Sequence, residues 1–137
     1  MDKRTLKPQN VPKRAVEAGG AFLWMEKGFV VSVETAKEKR VTLENAKERV
    51  ETINGLSDGE PIGLLIVINP SVRLEREARL YFASREPTDS VKALAFYGTS
   101  RVAKMVANLD LKIFRPLMPT KFFNDLDEAA EWLRSTP

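Results

Sequence analysis

A chain of 137 residues, 43% hydrophobic and 30% charged, has the size and residue usage of one globular domain and buries roughly two-thirds of the surface its unfolded form exposes. It contains neither Cys nor His, which excludes disulfides, thiolate and iron–sulfur chemistry, zinc knuckles, HExxH sites and every Ser-His or Cys-His nucleophile set. The formal net charge of +3 is local: Lys3, Arg4, Lys7, Lys13 and Arg14 stand against Asp2 alone at the start of the chain and the remainder is nearly balanced, so no basic nucleic-acid-binding face is expected.

Taken in chain order, residues 1–20 hold Pro8, Pro12 and the pair Gly19-Gly20 with few apolar side chains, the composition of a flexible basic arm preceding a single domain over 21–137. Its cations would suit nucleic acid or anionic lipid, but such tails as often only solubilise, and no nucleic-acid partner is expected. No apolar leader segment opens the chain, and the longest apolar run, 62–68, is seven residues where a membrane helix needs about 20. The expectation is a cytoplasmic protein without membrane insertion.

Residues 21–26 and 29–34 are rich in aromatic and β-branched side chains, and Lys27-Gly28 between them suits a two-residue hairpin. From Thr42, a plausible N-cap, Leu43, Ala46, Val50 and Ile53 fall on one helical stripe that Asn54-Gly55 is expected to stop. The run 62–68 reads as a central strand covered on both faces. Asn69-Pro70-Ser71 ends it, and Leu74, Ala78, Tyr81 and Phe82 recur at helical spacing among charged residues. Residues 91–97 form another apolar strand. After Gly98 a helix follows, with Val102, Val106, Leu109 and Ile113 as its expected buried stripe and Pro116 as its limit. Residues 120–123 suit a short edge strand, and Asp125 with Glu128 makes a capping-box-like start for a helix carrying Leu126, Ala129, Ala130 and Leu133. Strands alternating with helices require parallel pairing and the hairpin antiparallel pairing. The predicted fold is α/β, a mixed β-sheet with an N-terminal β-hairpin and about four α-helices.

Several strings resemble the SpoIIAA-like branch of the STAS superfamily, the domain type of anti-sigma-factor antagonists. They are RVAKMVAN over 101–108, then Arg115-Pro116, Pro119-Thr120, Phe122-Phe123 and EAAEWL over 128–133, with EREAR over 75–79 as a second piece. The likeness covers about 22–133 and is nearest to a group of small bacterial proteins of that branch. It implies a STAS fold and a regulatory, non-enzymatic interaction role. In the phospho-switched antagonists an Asp-Ser pair opens the helix after the central strand and carries the phospho-acceptor. The matching stretch here, 74–79, has no Ser or Thr, and Asn69 stands where related sequences often have an acidic residue.

The leading expectation is therefore a protein-interaction module without catalytic residues, cofactor or metal. Its partner-binding face would be Asn69, Ser71, Arg73, Arg76 and Arg79, and its occupant an unidentified protein or a second copy in a homodimer. Ser71 would suit a phosphoryl group near the positive end of the following helix, although Pro-Ser is also ordinary turn chemistry. Thr99, Ser100 and Arg101 sit between strand and helix, an arrangement that suits an anion and equally a simple cap. The alternative is a small apolar-ligand or lipid-binding carrier, with a cavity between the sheet and the last two helices lined by Phe22, Trp24, Phe122, Phe123 and Trp132. The same rings are equally core material.

Overall fold

In the computed structural model, which describes residues 1–84 and 90–137, the hairpin forms where the sequence puts it. Strands β2 (Ala21–Glu26) and β3 (Phe29–Glu34) pair antiparallel, and Gly28 takes φ +91°, a conformation open to glycine without steric cost. A short strand β1 (Val16–Ala18) adds to the free edge of β2. Beyond β3 the ladder turns parallel through β5 (Ile62–Val67), β7 (Val91–Tyr97) and β8 (Thr120–Phe123). The six-stranded order is β1-β2-β3-β5-β7-β8, so the spatial order of these strands follows the chain. Two-residue strands β4 (Arg40–Val41) and β6 (Arg73–Leu74) pair parallel in a separate small sheet.

Four α-helices are described: α1 (Leu43–Leu56), α2 (Arg76–Ala83), α3 (Arg101–Phe114) and α4 (Leu126–Ser135). Thr42 caps α1 in a capping box with Asn45, accepting from its backbone N–H at 3.1 Å. Asn54-Gly55 does not stop α1, which runs on to Leu56; the left-handed residues come later, at Asp58 and Gly59. Asp125 caps α4 by accepting from the Glu128 backbone N–H at 3.0 Å.

Three parallel crossovers that advance in the same direction share one hand, and so place α1, α2 and α3 on one face of the sheet. That face carries Leu23, Val30, Leu64, Leu94 and Phe96 against Ile53, Ala107, Leu111 and Phe114. The opposite face has Trp24, Phe29, Val31, Leu65 and Ala95 under Leu126, Ala129, Ala130 and Leu133 of α4.

The N-terminal segment expected to be a flexible arm is packed in this structure. It forms 3-10 turns at Lys3–Leu6 and Pro8–Asn10, buries Leu6, and sets Val11 and Ala15 against the α4 face. The reason is that α4 alone does not cover a six-stranded sheet, and three scattered apolar residues suffice to close the remainder. Arg14 adds an ion pair with Glu26, and Lys37 reaches Glu17 of β1 at 3.0 Å.

Candidate functional site

The expected partner-binding residues separate in the fold. Asn69 accepts from the Ser71 backbone N–H at 2.9 Å, so the exposed Ser71 sits in an Asx turn. Because β6 intervenes, Ser71 lies away from the first turn of α2, and Arg73 belongs to that strand rather than to the helix. The tertiary pairing of Val41 with Leu74 overrides the helical spacing there. Arg76 and Arg79 are on α2 and exposed. Thr99 and Arg101 are exposed and flank Ser100, whose Oγ caps α3 by accepting from the Ala103 backbone N–H at 3.0 Å. No group of three or more His, Cys, Asp or Glu comes together among the described residues in a way that could hold a metal ion.

The helix α3 presents the more telling surface. A Cβ on Gly98 would come within 2.6 Å of the Ala103 Cβ, so strand end and helix start approach too closely for any larger pair. The buried stripe is accordingly Ala103, Ala107, Leu111 and Phe114. This corrects the expected stripe: Val102 is 55% exposed and Leu109 65% exposed, with Met105 at 66%. At 100° per residue these three share one side of α3; the half-buried Ile113 packs against the core and the half-buried Val106 lines the space beneath the helix. The helix is thus apolar over far more of its circumference than its contact with the sheet uses, where a surface helix needs only one stripe.

Exposed cations stand on the same helix and on its neighbour α2. Arg101, Lys104 and Lys112 of α3, Arg115 at its C-terminus, and Arg76 and Arg79 of the adjacent α2 are all exposed. Among the described residues, none of the six takes part in an ion pair. Leu80 of α2, 59% exposed, adds another apolar side chain.

Beneath α2 and α3 lies a cavity of about 110 Å³. It exists because α2 packs on α1 and α3, with Ala78 and Ala46 in a small satellite core beside Val41, and so bridges the two helices with space left above β5 and β7. Ile66 of the otherwise central β5 and Ile68 just beyond it line that space and are half-buried for that reason. Its polar lining is Ser32, Asn69, Ser90, the pair Arg49 and Glu34, and Asp110. Arg49 donates from Nη1 and Nη2 to the Glu34 carboxylate, both at 2.7 Å, and from Nε to the Gly19 carbonyl at 2.7 Å, so its charge is matched. Asp110 of α3 has no such match: burial pushes its carboxyl up to about 6, with the Arg79 guanidinium working against the rise.

The cavity lies under α3, one of the two helices the sequence suggests, but its rings are Phe82, Phe96 and Phe114 rather than the expected ones; Phe122 packs on this face, and Phe22, Trp24, Phe123 and Trp132 belong to the other. Trp24 is core at 1% exposure, and Phe123 packs on Trp132 with ring centroids 5.5 Å apart. Those rings fill the space beside α4.

With the geometry in place, comparison with known proteins assigns the chain. Residues 23–137 match the model of a domain of unknown function, DUF7793. The chain belongs to the DUF7793 family. No curated protein matches it. Among solved structures, it is similar to a DUF3478-family protein of Shewanella loihica PV-4 with a SpoIIAA-like fold. The TM-score is 0.60 at 17% identity, over 86% of this chain and 97% of the other. This DUF7793 chain therefore has the SpoIIAA-like fold that its strings resemble. No described helix is long and apolar enough to cross a membrane.

Proposed function

We propose that this DUF7793 chain is a non-enzymatic regulatory module that docks an acidic, amphipathic segment of another protein on the outer face of α3. The observation that carries the reading is the exposed row Val102, Met105 and Leu109, with cations nearby that form no ion pair among the described residues. Apolar side chains at such a spacing are the anchors of helix-in-groove and helix-on-helix recognition, and the nearby cations select a partner of opposite sign and speed its approach. A second copy bringing the same face would oppose cation to cation, which disfavours an isologous dimer here. The role matches the one that the resemblance to anti-sigma-factor antagonists implies. The surface differs from the loop expected for them, since the matching helix start has no Ser or Thr to phosphorylate.

Site-specific photocrosslinking in cells tests it, with p-benzoylphenylalanine in place of Met105 and, for comparison, of Glu131 on α4. The expected result is a discrete adduct with an acidic protein from position 105 only, weakened severalfold when Arg101, Lys104 and Lys112 are changed to Glu. Adducts solely with a second copy, or co-sedimentation with phosphatidylglycerol vesicles without any protein adduct, would overturn the reading.

A further inference from the structure

The cavity under α2 and α3 is lined from beneath by the sheet and lies inside the outer face of α3. We propose that it is a binding site for a small, neutral apolar molecule with one hydrogen-bond donor, the body held among Ile53, Leu64, Phe82, Phe96 and Phe114 and the donor received by the Asp110 carboxyl.

Size sets the first limit. A cavity of about 110 Å³ is somewhat smaller than the ~150 Å³ engineered apolar cavities that stay dry and take up benzene, so the occupant is about one ring or a short alkyl chain. Water is a poor tenant. A buried water makes about three hydrogen bonds, whereas the lining is mostly apolar and Arg49, Glu34 and Ser90 are already bonded to other residues.

Chemistry sets the second limit. The Arg49 guanidinium is already bound by Glu34 and the Gly19 carbonyl, and Ser90 donates to Asn54 Oδ1 at 2.5 Å. Asp110 is a half-buried cavity-lining carboxyl for which no hydrogen bond is formed among the described residues. A carboxyl turned toward an apolar space repels an anionic head and accepts from a hydroxyl. The elevation of its proton affinity to about 6 agrees with a group that lacks the donors a ligand would bring.

Benzyl alcohol and toluene, matched in shape and differing in the hydroxyl, are the probes, and methyl-resolved NMR of the full chain is the measurement. Benzyl alcohol is expected to shift the Ile53, Leu64 and Val106 methyl signals saturably, and a ring-filled cavity in Val106→Phe or, should that variant not fold, Ile53→Phe is expected to abolish the response. Asp110→Leu is expected to weaken benzyl alcohol about tenfold, the worth of one hydrogen bond to a charged group, and to leave toluene unchanged or tighter. The proposal is overturned if benzyl alcohol gives no saturable shift, if a folded filled variant still binds it, or if Asp110→Leu weakens both probes equally.

Discussion

The two faces of the sheet are built from the same strands and differ in what closes them. On one, α4 and the N-terminal segment lie directly on Trp24, Phe29, Leu65 and Ala95, and Leu133 is fully buried. On the other, α1 and α3 meet the sheet while α2 bridges between them, leaving the cavity, a half-buried carboxyl and an unused apolar row. A face closed by a helix lying on the sheet is spent on stability; a face closed by a bridging helix keeps surface and volume in reserve.

The sharpest break of that comparison is a matched pair of truncations. Leu133→Ala on the closed face is expected to cost about 4 kcal/mol, since Leu133 is buried against Gly63 and its removal leaves a void. Ile53→Ala on the other face is expected to cost about 2 kcal/mol, because that side chain already borders open space and loses fewer partners. Urea denaturation of both variants measures the difference, and equal losses would mean that the cavity is closed in solution.

Next in size is the polar clamp that ties α1 to the hairpin. Arg49→Met leaves the Glu34 carboxylate without its partner and removes the bond to the Gly19 carbonyl, a loss of about 3 kcal/mol. Glu34→Gln together with Arg49→Met is expected to recover part of it, which a double-mutant cycle by chemical denaturation resolves.

The smallest effect has the opposite sign. The Asp110 carboxyl is raised from 3.8 to about 6 in the fold. Between roughly pH 4 and 6 the native chain therefore holds a proton that the unfolded chain has lost, and stability falls as pH rises through that window. Above it the ionised carboxyl is a standing penalty. Asp110→Asn is expected to stabilise the protein at pH 7 by about 1 kcal/mol, a figure kept well below the full shift because Asp110 is only half-buried beside Arg79. The gain is expected to vanish toward pH 4, which melting temperatures across that range test.

The sequence carries the fold unevenly. The hairpin, the strands at 62–67 and 91–97 and the capped starts of α1 and α4 follow from local chemistry that the tertiary structure does not oppose. The phase of α3 is different. Its residues offer two apolar stripes, and ranking by side-chain size selects Val102 and Leu109, whereas the approach at Gly98 admits only Ala103 and Ala107. The excess of apolar positions around 101–114, more than one buried stripe uses, is nonetheless legible in the sequence. The strand at Arg73–Leu74 depends on a partner more than thirty residues earlier, and the cavity depends on how α2 is suspended; neither is a local property of the chain.

The agreement between strand order and chain order bears on synthesis. Each strand of the main sheet after the hairpin joins the edge left by its predecessor, so no strand has to be threaded between two already paired. A nascent chain can therefore build the sheet outward as it leaves the ribosome. At about 5–20 residues per second, the outer edge of β7 waits a few seconds while α3 and the following turn are made. During that wait an unpaired strand of alternating and mostly buried side chains, Val91–Tyr97, is open to pairing with another chain, and the arrival of Thr120–Phe123 ends the exposure.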